Sequence, residues 1–195
     1  MGIAEIAGII ALSLSILANI PYIIETLQGK VKPERVSWFI WTLLGVVYFW
    51  TAIVEQGAVL FTAGELIGPV VAFLLALKYG VGGKSKFDII MLLLALVAIV
   101  WLLFTNNALV AVLLALAADS IATILTIRKL HIDPSSESRW AWGLFAVSGI
   151  FALVSLDKFS VETLLFPIYV VVVSTYITLR ARSVKEHKDS LLEKL

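Results

Sequence analysis

NIPYIIETLQGKVKPERVSWFIW, residues 19–41, decides how the chain is read. It opens inside an apolar run that carries Asn19, Pro21 and Glu25, crosses a short basic loop, and re-enters apolar sequence through Trp38 and Trp41. A proline inside a helix removes one backbone hydrogen bond and crowds the preceding turn, so its presence in an apolar run calls for a reason. A second stretch, ATILTIRKLHIDPSSESRWAW at 122–142, repeats the pattern of apolar run, basic loop and tryptophan pair.

Composition sets the class. Of the 195 residues, 61% are hydrophobic and 15% charged, and the mean hydropathy is +1.01. Soluble domains average about 45–50% apolar and 25% charged residues. Several runs of 18 or more residues are nearly free of charge, enough to cross a hydrocarbon layer of about 30 Å. The expected fold class is an all-α polytopic membrane protein. There is no cysteine, which excludes disulfides and thiolate chemistry. Two histidines, both in hydrophilic segments, give no basis for a metal centre, and no cofactor is expected. MGIAEIAGII lacks a basic leader, so its apolar run reads as a retained helix.

Seven spans are expected, at about 3–27, 37–54, 58–78, 88–105, 107–127, 140–156 and 161–179. The break at Asn106-Asn107 keeps 88–127 from being a single helix of twice the required length. With seven spans, fourteen of the fifteen lysines and arginines fall on one side, leaving Lys158 alone on the other. The positive-inside bias then puts the N-terminus outside and the C-terminus in the cytoplasm. The expected location is a prokaryotic plasma membrane. A retinal protein would need a lysine deep in the last span, and VETLLFPIYVVVVSTYITL has none.

Sliding the chain by 101 residues aligns Pro33, Ser37 and Trp41 with Pro134, Ser138 and Trp142. Ile20, Ile23, Leu43 and Val46 are the other identities between 14 and 52, so the repeat rests mainly on matching spans and basic loops. Pro69 pairs with Pro167 once the opposite turn is shortened by three residues. The expected organisation is a three-helix bundle at 1–80, a linker loop and helix at 81–106, a second three-helix bundle at 107–182 and a cytoplasmic tail at 183–195. A lone fourth helix restores the same orientation to the second unit, giving parallel repeats, a recognised transporter plan.

This 3 + 1 + 3 layout, with Pro21-Tyr22 late in span one, a basic loop, and SWFIW opening span two, resembles the SWEET and PQ-loop (MtN3-like) transporter superfamily. The resemblance covers nearly the whole chain in topology and only sparse motifs in residues. It implies alternating access, with proline kinks as hinges and tryptophan and asparagine side chains holding substrate between the bundles. Pro21-Tyr22 stands where that family usually has Pro-Gln, and Ala122 replaces the proline in the second half. Sugar-carrying members typically have asparagines in spans three and seven. This chain has Glu65 with Gly68-Pro69, and Glu162 with Pro167-Ile168-Tyr169.

The candidate residues follow. Steps of four residues advance about 40° around a helix, so Pro33, Ser37 and Trp41 share one face, as do Pro134, Ser138 and Trp142. That face is expected to line a cavity, with Trp41 and Trp142 stacking on a flat or sugar-like ligand. Tryptophans at boundaries also serve as interfacial anchors, the reading favoured for Trp38 and Trp140. Asp119 lies about 18 Å along its helix from Asn107, near mid-bilayer, where a carboxylate is costly and faces a bundle interior or a water path. Glu65 lies about 10 Å inside its span. Either acid would bind a cationic substrate or take up protons. The matched pair Asn19 and Ser120 are candidate ligand groups or helix–helix hydrogen bonds. Pro21, Pro69 and Pro167 are the candidate hinges.

The leading expectation is therefore a small-solute transporter, not an enzyme, with a sugar, amino acid or vitamin-like substrate, the lipid bilayer and a further copy of itself as partners, and no nucleic acid. The alternative is a membrane receptor of the same fold that binds without transport. A receptor for peptide tails would need a basic pocket on the outer side, where only Lys158 falls. A membrane enzyme lacks a visible His-rich, Cys-based or paired-carboxylate site.

Overall fold

A computed structural model describes residues 2–54, 59–156 and 159–182, without the side chains of 51–54, 59–65 and 162. Seven α-helices account for nearly all of the described residues: α1 (Ile3–Leu27), α2 (Arg35–Val54), α3 (Val59–Tyr79), α4 (Lys86–Phe104), α5 (Ala108–Ile132), α6 (Arg139–Val154) and α7 (Val161–Arg180). Four stretches, Ile3–Leu27, Lys86–Phe104, Ala108–Ile132 and Thr163–Arg180, are long and apolar enough to cross a membrane; Arg35–Trp50, Leu66–Tyr79 and Arg139–Val154 are shorter apolar helices. Large apolar side chains point outward around the molecule, among them Leu17 and Ile20 on α1, Val97 and Trp101 on α4 and Val172 on α7. Such a surface is compatible with a membrane protein, whose solvent at that depth is lipid.

Local signals explain the breaks. Asn107 caps α5 by accepting from the Val110 N–H at 3.1 Å, which fixes the split between α4 and α5. Ser85 and Asp88 form a reciprocal capping box at α4, and Ser160 and Thr163 do so at α7. Each satisfies N–H groups that a helix start leaves open. The largest departure from the expected boundaries is at α5, which continues five residues past Ile127. Its last turn stays helical because Lys129 is buried among acceptors and His131 Nε2 reaches the Tyr176 hydroxyl at 2.7 Å.

The interior is built from small residues on helical spacing. Ala7, Ala11, Ser15, Ala18, Tyr22 and Thr26 form the buried face of α1, and α1 packs against α6 and α3. Ser148 of α6 donates to the Ala11 carbonyl at 2.8 Å, a close approach that small residues permit without a hydrophobic driving force between apolar helices. Further contacts join α2 with α3, α4 and α5, α4 with α5, and α7 with both α5 and α6.

All the turns that follow α1, α3 and α5, together with the end of α7, meet at one end. Val81 N–H donates to Pro33 O and Arg35 N–H to Val81 O, each at 2.9 Å; Lys32 N–H donates to Ser136 O at 3.1 Å and Arg182 N–H to Pro134 O at 2.8 Å. The odd-numbered helices therefore run toward this end and the even-numbered ones away from it. It also gathers Lys30, Lys32, Arg35, Lys84, Lys86, Arg128, Lys129 and Arg139, and is called the basic end below.

Candidate functional site

Trp41 is the junction of the interior. It packs against three separate apolar clusters: one among α2, α4 and α5, one around Tyr22, Trp38, Ala72 and Ala141, and one around Leu130, Trp142 and Ile177. Aromatic rings run through it in sequence. Tyr22 and Trp38 lie 4.7 Å apart between centroids, Trp38 and Trp41 5.0 Å, Trp41 and Trp142 5.9 Å, and Trp142 and Phe145 5.8 Å. The two tryptophans matched by the repeat thus meet each other, within the centroid range of favourable aromatic pairs.

The Trp41 indole N–H donates to Asp119 Oδ1 at 3.1 Å, and the Tyr169 hydroxyl donates to the same oxygen at 2.8 Å. Thr123 Oγ1 lies 3.4 Å from that oxygen and 2.8 Å from the Tyr169 hydroxyl, and Ser120, next to Asp119 in α5, is half-buried. Asp119, half-buried, therefore connects α2, α5 and α7 through one carboxylate oxygen. Hydrogen bonds to an ionised acceptor are about twice as strong as neutral ones, which suits a carboxylate kept between apolar helices. None of these donors addresses Oδ2.

Asn19 on α1 donates to the carbonyls of Ser15 at 3.0 Å and Ile16 at 3.4 Å in its own helix. Gly68 of α3 packs directly on its amide: a Cβ at Gly68 would overlap the Asn19 side chain. Pro21, Pro69 and Pro167 lie inside α1, α3 and α7. Each deprives the carbonyl four residues back of its helical partner. The backbone of Glu65 is helical, but its side chain is outside the described set.

Ser37 and Ser138 are fully buried near the basic end. Ser37 Oγ lies 2.6 Å from the Ala122 carbonyl, 2.8 Å from Glu34 Oε2 and 3.0 Å from Thr126 Oγ1. Ser138 caps α6, accepting from Ala141 N–H at 3.2 Å. Both link backbone and side chains within the protein. Trp38 departs from the interfacial position expected of it: it is 3% exposed, and its N–H donates to the Tyr22 hydroxyl at 2.8 Å. Burial under Tyr22 leaves it no route to an interface. Trp140, 74% exposed, has the outward position of an anchor.

Lys129 and Glu137 form a buried ion pair at the basic end. The Lys129 ammonium also donates to Lys32 O at 2.6 Å and Ser136 O at 3.2 Å, so one side chain ties the 28–34 and 133–138 turns together. Glu137 Oε2 accepts from the Trp142 N–H at 2.8 Å. Outside this pair Lys32 meets Asp133 at 3.1 Å. Asp133 is partly desolvated, yet hydrogen bonds from Ser135 and Lys32 hold it below the usual carboxylate range. At Glu34 burial wins over the hydrogen bonds from Ser37 and pushes the acid upward.

Tyr169, Tyr22, Lys129, Glu34, Glu137 and Gly68 complete this arrangement; the sequence named Tyr22, Gly68 and Tyr169 only where the chain departs from the family pattern, and gave Lys129, Glu34 and Glu137 no role in it. The charged three sit in or beside hydrophilic loops, where solvated side chains are the ordinary reading. Nothing in single-sequence spacing marks them as buried. No family model matches the chain, and no curated protein or solved structure matches it.

Proposed function

We propose that the chain is a small-solute transporter that works by alternating access, with substrate held near Trp41, Trp142, Asn19 and Asp119 between two parallel three-helix bundles. The observation that carries this reading is the Trp41–Asp119–Tyr169 group, a carboxylate held by donors from two other helices where three apolar clusters meet. An acid among apolar helices is expensive and marks a solute or proton path. Asp119 is the group proposed to meet a cationic part of the substrate or to carry a coupled proton, with Glu65 as the second candidate.

The helix neighbours support the two-bundle arrangement. Exchanging α1 with α5, α2 with α6 and α3 with α7 maps the contacts α1–α3 onto α5–α7, α2–α3 onto α6–α7, and α1–α6 onto α5–α2. This exchange supports reading the helices as two like units with α4 between them, the plan that the proposed transporter reading requires. The basic end is proposed to face the cytoplasm. The ties at Lys129 and Lys32 would then close the substrate path on that side.

The test starts from a thermal-shift screen of the purified chain against sugars, amino acids, vitamins and nucleosides, since a ligand of the folded state raises apparent stability. Hits are then followed as flux into proteoliposomes. Asp119→Asn keeps the shape of the side chain and removes its charge. It is expected to lower flux about tenfold or more, the equivalent of one charge-assisted hydrogen bond, with the melting transition retained. Full flux at every pH would take Asp119 out of the mechanism.

A further inference from the structure

Of the four acids set among the turns of the basic end (Glu34, Asp88, Asp133 and Glu137), three are paired. Lys32 meets Asp133 and Arg128 meets Asp88, both at 3.1 Å, and Lys129 meets Glu137. Glu34 has no such partner. The three N–H groups of Lys129 go to Glu137, to Lys32 O at 2.6 Å and to Ser136 O at 3.2 Å, so none is left for it. The Arg35 guanidinium reaches Gly82 O at 3.1 Å. Glu34 is 3% exposed, and its Oε1 is buried without a hydrogen-bond partner.

Proton counting at Ser37 decides the state of this acid. Ser37 Oγ has three oxygen neighbours: Ala122 O at 2.6 Å, Glu34 Oε2 at 2.8 Å and Thr126 Oγ1 at 3.0 Å. A hydroxyl donates once, and a carbonyl or an ionised carboxylate only accepts. With Glu34 ionised, the Ser37 and Thr126 hydroxyls supply two protons for three contacts, and one close oxygen pair has none between its atoms. With Glu34 protonated on Oε2 the count closes. Glu34 and Thr126 then donate to Ser37 Oγ, and Ser37 donates to Ala122 O. Oε2 still accepts the Ser37 N–H at 2.5 Å. Oε1 becomes a neutral carbonyl oxygen, which costs less to bury unpaired than a charged one. Burial pushes the Glu34 carboxyl upward, in agreement with this count.

The same side chain joins three parts of the fold. Through Ser37 it reaches Ala122 and Thr126 on α5. The turn before α4 lies directly on Oε1: Gly82 adopts φ +79, and a Cβ there would overlap that oxygen. Val81 N–H to Pro33 O and Arg35 N–H to Val81 O, each at 2.9 Å, hold the turn down. Water therefore reaches Oε1 only when the turn lifts. The charged and titratable groups around Glu34 are Lys32 before α2, Arg35 on α2, Asp88 on α4, Arg128 and Lys129 on α5, Asp133 and Glu137 before α6, and Tyr22 on α1. The six in ion pairs are matched among themselves, so a charge on Glu34 has water as its best partner.

We propose that Glu34 is a proton-binding site that latches the basic end: the neutral acid donates from Oε2 to Ser37 Oγ, and release of this proton to water lifts the 81–83 turn from α2 and α5. The site does not depend on the transport reading, since both of its readouts are made without flux. The sign follows from linkage. A carboxyl raised in the closed state favours closure most below the ordinary glutamate value of about 4.3; closure weakens as pH rises toward the raised value and then levels off.

The experiment uses the full chain in detergent and reads two signals as pH is raised from about 5 to about 9, above the ordinary glutamate value. Infrared difference spectra between the unaltered chain and Glu34→Gln report the carbonyl band of a protonated carboxylic acid, which a carboxylate lacks. Hydrogen exchange, corrected for the intrinsic pH dependence of amide exchange, reports opening at 80–84 and at the start of α2. The band is expected at the lower pH and should fade as pH rises. Opening should increase by up to about tenfold per pH unit, the slope for one proton, before levelling off. Glu34→Gln keeps a donor for Ser37 Oγ and carries no charge, so its turn should stay protected at every pH. His131, which meets Tyr176 on α7, remains in that variant, so a pH effect of its own would persist there. If Glu34→Gln does not fold, Ser37→Ala replaces it: the acid loses the oxygen that receives its proton, and the band should move. No acid band from Glu34 at the lower pH, protection that does not change with pH, the same change in Glu34→Gln, or a band that Ser37→Ala leaves in place would overturn the proposal.

Discussion

Trp41 and Trp142 occupy matching places in the two halves and yet hydrogen-bond differently. Trp41 reaches Asp119 on α5, whereas Trp142 turns to Glu137 in its own half. The cause is a single pair of residues: the position matching Asp119 in the first half is Ala18, which offers Trp142 no acceptor. Glu137 matches Val36, so the second half supplies both acids, at different depths. Gly68 is the other residue on which this interior depends. Gly68→Ala should lower the melting temperature, because its Cβ overlaps the Asn19 amide, at a cost of about 1–3 kcal/mol for overpacking. Adding Asn19→Ala should restore most of the loss, since residues in direct contact are not additive. A double variant as unstable as the sum of the two single ones would show that the contact is unimportant.

At the scale of elements, the basic end is held by side chains and backbone together. Lys129 is the strongest single tie, because it joins the turn before α2 to the turn before α6 while neutralising Glu137. Breaking a buried ion pair by removing one partner costs about 3–5 kcal/mol, since the remaining charge is left uncompensated. Lys129→Met should therefore loosen 28–34 and 133–138 together. Hydrogen exchange read peptide by peptide should rise in both turns and stay unchanged in the α1–α6 contact around Ala11 and Ser148. Unchanged protection in both turns would mean that the backbone bonds alone, such as Lys32 N–H to Ser136 O, suffice.

For the whole molecule, the testable quantity is which end faces which compartment. The chain has no cysteine, so single thiols can be placed freely. Lys30 at the basic end and Asn106 between α4 and α5 are both exposed. In intact cells a membrane-impermeant maleimide is expected to label Asn106→Cys, and Lys30→Cys only after permeabilisation. The reverse pattern would invert the proposed orientation, and labelling of both in intact cells would refute a spanning arrangement.

The sequence by itself determined what depends on local chemistry and on solvent. Long uncharged runs demand helices because their backbone groups must be satisfied within the segment, and seven helices are found where those runs lie, with Asn107 capping α5 at the break read from Asn106-Asn107. The weak 101-residue repeat also named the tryptophans that meet at the centre. Sequence could not decide burial at the loop ends. Glu34, Lys129 and Glu137 look like solvated charges in hydrophilic turns, and become interior groups only when turns from distant parts of the chain close over one another. Tyr169 is fifty residues from the carboxylate it holds. Only the tertiary structure decided which hydroxyl, indole and acid share an oxygen, because hydrogen bonding acts across 3 Å of space whatever the separation along the chain.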